Sequence, residues 1–308
     1  MLKEININEI EGFRIGHAQN DEAKTGVTVI LFDKEATVGV DISGGGPASR
    51  ETHLLDPTTA THPINAIMLS GGSAYGLSAA EGIMKYLEGH NIGYDTGYAK
   101  VPLVCASCIY DLGIGSASIR PDADMAYRAC IDAENNDVRC GNVGAGIGAT
   151  VGKIKGMEHA SNSGLGMYAV KLGKLEMCAI VVVNALGDIF DPTCGKQISG
   201  LRSDDGTLIN SKDVLYEICE KTDMFTGNTT IGTIITNGKF NKAEMCKIAS
   251  MARNAYARCI DPVGTLADGD TIYAATFNEV DADINVVGTL AAEVMEKAIL
   301  NAIESSNE

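Results

Sequence analysis

The chain alternates short apolar runs rich in β-branched residues with stretches in which apolar residues recur at helical spacing. The runs predict strands and the spacing predicts amphipathic helices. The predicted strands are Val27–Phe32, Val38–Ile42, Ile64–Leu69, Ala179–Val183, Ile231–Thr236 and Thr271–Ala275. The predicted helices carry Leu77, Ala80, Met84 and Leu87; Met245, Ile248, Ala252 and Ala255; and Val287, Leu290, Val294 and Ala298. Because this order lacks the regular strand–helix–strand repeat of a doubly wound sheet, it favours an α/β (α+β) fold of sandwiched sheets covered by helices.

The chain shows no sign of division into separate domains. Its 308 residues contain no internal repeat, no low-complexity tract and no proline-rich linker. A hydrophobic fraction of 45% against 21% charged residues is typical of a globular protein with a substantial core. We therefore expect residues 1–308 to form a single domain.

The net charge excludes several classes of partner. With 40 acidic and 24 basic side chains, the chain carries −16 at pH 7, so it repels phosphate backbones and anionic lipid. No apolar run approaches the roughly 18 residues that a membrane span needs, and the start of the chain lacks the pattern of a signal peptide. The sequence predicts a cytoplasmic protein with no nucleic-acid or membrane partner.

Nine cysteines are scattered through apolar segments, which is typical of buried thiols in a reducing compartment. Cys105 and Cys108 form a C-x-x-C pair, a redox or half-metal motif, but the second pair that a structural zinc needs is missing. We interpret both thiols as core residues and expect no metal and no cofactor.

Two glycine-rich segments have to be weighed as ligand sites. Residues 144–148 read Gly-Ala-Gly-Ile-Gly and lack the spacing of a nucleotide-binding loop, so close backbone packing is favoured. Gly71, Gly72 and Ser73 lie between a predicted strand and a predicted helix, but the glycine after Ser73 comes one position too late for a nucleophile elbow. We interpret this segment as a loop lining a pocket, with backbone N–H groups at the start of the Leu77–Leu87 helix available to bind a carboxylate or oxyanion.

The segment around Asn228 and Thr229 carries the chemistry. A turn leads directly into the Ile231–Thr236 strand, and a hydroxyl residue stands at the junction. If the 228–229 bond breaks, Thr229 provides a hydroxyl nucleophile and an α-amine whose ordinary pKa is about 7.7–8.0, which suits a general base. On the residues alone, a plain turn remains the alternative.

Asp268 and Asp270 come just before the Thr271–Ala275 strand. Side chains two residues apart in an extended segment point the same way, so one of these carboxylates can orient the nucleophile. The alternative is an Asp-Gly turn with solvated charges.

Taken together, the ordered motifs resemble the DmpA-type aminopeptidases, a group that includes L-aminopeptidase/D-esterases, β-aminopeptidases and nylon-oligomer hydrolases. The resemblance covers nearly the whole chain. It is carried by residues 15–17 (Ile-Gly-His), 25–29 (Thr-Gly-Val-Thr-Val), 44–47 (Gly-Gly-Gly-Pro), 50–52 (Arg-Glu-Thr), 69–77 (Leu-Ser-Gly-Gly-Ser-Ala-Tyr-Gly-Leu), 101–104 (Val-Pro-Leu-Val), 183–188 (Val-Asn-Ala-Leu-Gly-Asp), 228–231 (Asn-Thr-Thr-Ile) and 268–271 (Asp-Gly-Asp-Thr).

The resemblance implies a four-layer α-β-β-α sandwich and self-cleavage into residues 1–228 and 229–308. It implies that Thr229 is the nucleophile, that Asp268 and Asp270 match its partners on the neighbouring strand, and that Asn184 is an oxyanion donor. Tyr110 is similar to a tyrosine of the site. The resemblance implies no metal. It implies a homo-oligomer, which in relatives is a tetramer.

One position departs from the family pattern. Relatives carry a lysine before a Gly-Leu-Gly segment, and Asn162 stands where that lysine is expected. A lysine would contribute a positive charge that lowers the pKa of the nucleophile's amine, which asparagine does not. The sequence therefore leaves slow maturation, altered specificity and inactivity open.

The resulting hypothesis is a self-processing aminopeptidase or amidohydrolase. It would act through an acyl-enzyme on Thr229, on small peptides, amides or esters with a free amine. Glu51 and Glu158 are candidates to hold that amine. The alternatives are an endo-amidase, an acyltransferase, and a catalytically silent member that binds a small molecule.

Overall fold

The computed structural model describes residues 1–218 and 227–306. The strands, in chain order β1 to β17, are Leu2–Glu4, Phe13–Asn20, Thr25–Ile42, Ala48–Arg50, Ile64–Ser70, Tyr94–Asp95, Lys100–Val101, Val104–Cys108, Thr150–Val151, Ser161–Asn162, Leu165–Leu172, Leu175–Val182, Asp188–Asp191, Lys196–Ser199, Ile231–Gly238, Ile260–Asp261 and Thr271–Val280. The α-helices, α1 to α6, are Ala80–Gly89, Ala123–Asp132, Ser211–Glu217, Lys242–Ala252, Asn254–Cys259 and Ile284–Ser306. Short 3₁₀ segments span Ile7–Glu9, Thr52–Leu55, Ser73–Ala79, Gly144–Gly146 and Met157–His159.

Strand β3 joins two stacked sheets. Its first half pairs with β2 and β5, and its second half pairs with β17. One sheet runs β1-β11-β12-β15-β17-β3, and the other contains β2, β3, β5, β8 and β4. The prediction of two strands, Val27–Phe32 and Val38–Ile42, was wrong in one respect, because both belong to this single strand. The exposed polar residues Asp33–Glu35 separate its two buried halves, which made one long strand look like two.

Three apolar cores separate four layers. Residues of β12, β15 and β17 pack against α4 and α6 in the first core. Inward-facing residues of both sheets, including Ile30, Ile180 and Tyr273, form the second core between the sheets. The third core holds β5 and β8 against α1 and α2. Alternation along each strand supplies apolar side chains to both faces, so each sheet is covered on both sides. The predicted four-layer sandwich is confirmed.

The predicted helices are present at the expected positions, but some of them begin or end at other residues than predicted. Asn241 and Glu244 form the predicted capping box at the start of α4. The helical pattern that continues to Ala255 is interrupted at Arg253, where α4 ends and α5 follows. The pattern that begins at Leu77 is 3₁₀ until Ala79, and α1 starts at Ala80. Within residues 1–218 and 227–306, no helix has the length and apolar character of a membrane span.

Candidate active site

Strands β15 and β17 lie side by side and parallel in the middle of their sheet, and their pairing extends beyond the strand starts. Asn228 forms an isolated parallel bridge with Asp268. The amide of Gly269 donates to the carbonyl oxygen of Asn228 at 2.9 Å, and the amide of Thr271 donates to Thr230 at 3.2 Å. This ladder places the Asn228–Thr229 peptide directly beside the predicted acidic pair.

The peptide between Asn228 and Thr229 is buried, with both residues under 5% exposed. The Thr229 hydroxyl donates a hydrogen bond to the carbonyl oxygen of Asn228. The same oxygen accepts the Gly269 amide, which therefore points at the atom where negative charge would develop during attack on this carbonyl. A side chain at position 269 would collide with the Thr229 hydroxyl, because a Cβ there would lie 2.7 Å from Oγ1.

Asn184 organises the other side of this peptide. Its carbonyl oxygen accepts the Thr229 amide at 2.9 Å, and its side-chain Nδ2 donates to the carbonyl oxygen of Tyr110 at 3.0 Å. Its Oδ1 accepts from the Thr150 amide at 3.1 Å and from Lys153 Nζ at 2.7 Å. Asn184 thus ties the Thr229 amide, Tyr110, Thr150 and Lys153 together, and its predicted role as an oxyanion donor stays a prediction.

Lys153 is the site residue that sequence reasoning missed. Its ammonium is buried and donates to both the carbonyl oxygen and Oδ1 of Asn184, at 3.1 and 2.7 Å. Asn162, by contrast, pairs with Thr150 in the short β9–β10 ladder, and its side chain is exposed. Position 162 thus carries no charge, as the sequence showed, but a lysine is present beside Asn184. The lysine comes from a different turn, nine residues earlier, and the chain folds it back beside Asn184.

Burial shifts the pKa values of three ionisable groups of the site, Lys153, Asp270 and Asp268. Burial lowers the pKa of Lys153 to about 7, against the charges of Asp268 and Asp111, which raise it. Burial, followed by the neighbouring Asp268 carboxylate, raises the pKa of Asp270. Burial also raises the pKa of Asp268, against its hydrogen bonds with Thr265 and the charge of Lys153. Perturbations of this kind in a cleft are typical of catalytic sites.

The two carboxylates play different structural parts. Asp268 Oδ2 accepts the Thr265 amide at 2.7 Å, which closes the turn before β17. Asp270 Oδ1 accepts the Thr230 amide at 2.8 Å, one residue beyond the predicted nucleophile. The structure thus brings the five predicted catalytic residues together: Thr229, Asn184, Tyr110, Asp268 and Asp270.

A cavity of about 250 Å³ opens beside this group, and we call it the front pocket. Its lining is mainly small and apolar and comprises Tyr110, Asp111, Gly113, Ile114, Thr150, Lys153, Gly156, Met157 and Gly227. The Tyr110 ring lies against Gly227, where a Cβ would be 2.4 Å from the ring. The pocket is close to the size of sites for small ligands.

The Gly71-Gly72-Ser73 loop serves the pocket indirectly. Its amides are used within the fold: Gly71 donates to Gly26 at 2.9 Å, Gly72 to Asp111 Oδ1 at 2.7 Å, and Ser73 to Ile109 at 2.9 Å. Gly71, Gly72 and Ser73 do not line the front pocket. Their amides hold strand β3, Asp111 and Ile109, the residue just after strand β8. Asp111, whose Oδ2 accepts the Thr25 hydroxyl, is the residue that reaches the pocket.

The C-x-x-C pair lies within strand β8. Cys105 and Cys108 are both buried, and burial raises the pKa of both thiols, that of Cys105 to about 12. Across the described part of the chain, no group of three or more His, Cys, Asp or Glu side chains has an arrangement suited to a metal ion.

Comparison with known proteins places this geometry in context. The sequence profile of Peptidase family S58 matches residues 6–308. An uncharacterized aminopeptidase of Mycobacterium leprae is 32% identical over 96% of this chain and 89% of its own length. A 6-aminohexanoate-oligomer endohydrolase of Kocuria sp. is 30% identical over 96% of this chain and 84% of its own length.

Solved structures with low sequence identity share the fold. A β-aminopeptidase of Burkholderia sp. superposes with a TM-score of 0.69 at 18% identity, covering 97% of this chain and 86% of that one. The L-aminopeptidase D-Ala-esterase/amidase of Ochrobactrum anthropi, described as a variant of the Ntn hydrolase fold, superposes with a TM-score of 0.71 at 16% identity over the same shares.

Proposed function

Because the chain belongs to peptidase family S58, we propose that it matures by cutting its own Asn228–Thr229 bond and then hydrolyses small amides, peptides or esters through Thr229. The observation that carries this proposal is the contact of the Thr229 hydroxyl with the carbonyl of Asn228, whose oxygen already accepts the Gly269 amide. The nucleophile and the target carbonyl thus belong to one buried peptide, and the oxyanion donor reaches that peptide from the neighbouring strand start.

Self-cleavage would proceed in two steps. The Thr229 oxygen bonds to the carbonyl carbon of Asn228, the carbon–nitrogen bond of the peptide breaks, and the hydroxyl proton ends on the Thr229 nitrogen. Water then adds to the resulting ester, the carbon–oxygen bond breaks, the Thr229 hydroxyl is restored, and Asn228 leaves as a carboxylate. The Gly269 amide would stabilise the charged oxygen in both steps.

Lys153 is the candidate to assist the proton transfer. Its pKa of about 7 keeps a share of the side chain neutral near neutral pH, which a general base requires. After cleavage, the new amine of Thr229 would lie within hydrogen-bond distance of the Asn184 carbonyl oxygen, which Lys153 also contacts. A positive charge there lowers the pKa of that amine and favours the free base that substrate hydrolysis needs.

The front pocket suits a small acyl group. Most of its lining is apolar or glycine, and both oxygens of Asp111 already accept hydrogen bonds. Glu158 is exposed, and its carboxylate lies against Gly156 in the pocket lining, so it is the candidate to hold a substrate ammonium. Glu51, the other sequence candidate, starts the Thr52–Leu55 turn.

An endo-acting amidase is the second candidate function. Relatives at about 30% identity are named 6-aminohexanoate-oligomer endohydrolases. Amino-acid amides and N-acetylated oligomers distinguish the two, because only an aminopeptidase needs a free amine on its substrate. Replacement of Glu158 by Gln would raise the KM for amino-acid amides and leave N-acetylated oligomers unaffected.

Intact mass under denaturing conditions tests self-cleavage. We expect the wild type to split into residues 1–228 and 229–308, Thr229→Ala to stay whole, and Thr229→Ser to split, because it keeps a hydroxyl. A wild-type chain that stays whole after long incubation excludes self-cleavage and leaves the small-molecule binding role.

A further inference from the structure

Asp111 is a buried carboxylate in the wall of the front pocket. It follows Tyr110 directly in the chain and is 4% exposed. Its Oδ1 accepts the Gly72 amide and its Oδ2 accepts the Thr25 hydroxyl, each at 2.7 Å. Both donors are neutral, and hydrogen bonds to a carboxylate favour its ionised form. The fold therefore holds a negative charge at the wall of the pocket.

Two glycine-rich segments leave the space that this carboxylate occupies. A Cβ at Gly71 would collide with Asp111 Oδ2, and a Cβ at Gly148 would lie 3.1 Å from the Cβ of Asp111. Gly71 begins the 71–73 loop, and Gly148 ends the 144–148 segment. Neither segment lines the front pocket, but both adjoin Asp111, which does. Both motifs thus contribute to the site by holding one acidic side chain.

Lys153 is the buried cation of the same pocket. Within residues 1–218 and 227–306, its ammonium donates to two oxygens of Asn184, at 2.7 and 3.1 Å, and both oxygens are neutral. A buried ammonium and a buried carboxylate, each with neutral hydrogen-bond partners, therefore line one cavity of about 250 Å³. Opposite charges shielded from water interact more strongly than at a surface. Each of the two groups thus stabilises the charged form of the other.

The other titratable groups that face this pair are Asp268, Cys108 and Tyr110. Burial lowers the pKa of Lys153 to about 7, and the charges of Asp268 and Asp111 raise it. Burial raises the pKa of Asp111, whereas its hydrogen bonds and the charge of Lys153 lower it. Burial also raises the pKa of the Cys108 thiol, which therefore stays neutral beside Asp111. Tyr110 lies in the pocket lining.

We infer that Asp111 is a positioning residue for the proposed self-cleavage, because its fixed negative charge keeps the buried Lys153 side chain able to hold a proton. A general base works best when its pKa lies near the operating pH. Without Asp111, burial would make Lys153 a weaker base and would remove the positive charge beside the new amine of Thr229. The inference rests on the proposed function for this consequence, whereas the coupling of the two charges exists in the uncut chain.

NMR titration of labelled lysine ε-carbons in an uncut Thr229→Ala chain measures the coupling, with Lys153→Met for assignment. Lys153 should titrate well apart from ordinary lysines, whose pKa is about 10.4. We expect Asp111→Asn to move the Lys153 midpoint down by at least about half a pH unit, because the amide keeps the shape and removes the charge. Asp124→Asn, the same change at an exposed residue of α2, should leave it in place. Equal midpoints in the two variants overturn the inference.

The reciprocal titration keeps the inference testable if Asp111→Asn does not fold. Coupling between two sites is mutual, so Lys153→Met should raise the midpoint of the Asp111 carboxyl carbon by a similar amount. Lys155→Met, at an exposed lysine two residues along, is the matched control. An Asp111 midpoint that is the same in these two chains also contradicts the coupling.

The self-cleavage rate separates failure of the inference from failure of the proposed function. In a chain with Thr229 intact, Asp111→Asn should move the acid limb of the rate to lower pH by the same amount, because Lys153 then stays neutral to lower pH. If the chain never cuts itself but the midpoint moves, the proposed function fails and the coupling stands. If it cuts itself and neither quantity moves, the coupling fails and the proposed function stands. If it cuts itself and only the midpoint moves, the positioning role fails.

Discussion

The paired strand starts at Thr229 and Asp270 have two sides, the front pocket with Lys153 and the back side with Asp270, and the two sides hold buried charge differently. On the front side, the Lys153 ammonium donates to two oxygens of Asn184, and both oxygens of Asp111 accept protein donors. On the back side, the Asp270 carboxyl is buried near the like charge of Asp268, and both effects raise its pKa. A charged group with its hydrogen bonds made inside the protein is rigid and suits the positioning of reacting atoms. A buried carboxyl beside a like charge instead has a raised pKa and takes up a proton more readily.

Removal of the front-side cation gives the largest expected effect. Lys153→Met leaves two buried Asn184 oxygens without their charged donor and removes the candidate base. We expect self-cleavage to slow by about 10²-fold or more, as for loss of a general base. A time course of intact mass measures it. Lys155→Met, at an exposed lysine two residues along, should cut at the wild-type rate, and equal rates in the two variants would exclude Lys153.

The Asp270 carboxyl should contribute to the dependence of the free energy of unfolding on pH. The pKa of Asp270 is raised on folding, so between about pH 4 and that raised value the folded chain binds a proton that the unfolded chain has released. The free energy of unfolding should therefore fall as pH rises through this window, by at most about 1.4 kcal/mol per pH unit from this group.

Denaturant titrations from pH 4 to 8 in a Thr229→Ala background check this dependence. Asp270→Asn should remove that part of the fall. A slope that is identical in the two chains would show that Asp270 keeps its ordinary pKa.

A smaller effect should follow from narrowing the front pocket. A Cβ at Gly113 would lie 3.3 Å from Met157 Cγ, so Gly113→Ala constricts the lining without touching Thr229. We expect KM to rise about tenfold for bulky amino-acid amides and little for small ones, the usual range for a methyl group in a pocket. Gly89→Ala is the control, because a Cβ there meets nothing within 4 Å. A uniform change for all substrates would place the substrate elsewhere.

The smallest effect is expected at Asn162. Its side chain is exposed, and Lys153 already provides a buried cation, so Asn162→Lys should change the self-cleavage rate by less than about twofold, as for most surface substitutions. Intact-mass time courses suffice for the comparison. A large acceleration would restore the view that the charge belongs at position 162.

The sequence predicted those residues of the candidate site that lie just before a strand. Asn228–Thr229 and Asp268–Asp270 each precede an apolar β-branched run, and parallel pairing of β15 with β17 brings them together. The family resemblance, which the comparisons confirm, added Asn184 and Tyr110. Lys153 was missed because it stands in an irregular turn, where no periodic pattern indicates whether a lysine points into solvent or inward.

The sequence by itself determined the layer order and the residue types of the site, because alternation and helical spacing are local properties of the chain. Only the tertiary structure decided that Lys153 lies beside Asn184, that the Gly72 amide holds Asp111, and that Asp270 is buried close to the charge of Asp268. These are contacts between residues far apart in the chain, and their strength depends on burial, since low polarity magnifies both a satisfied and an unsatisfied charge.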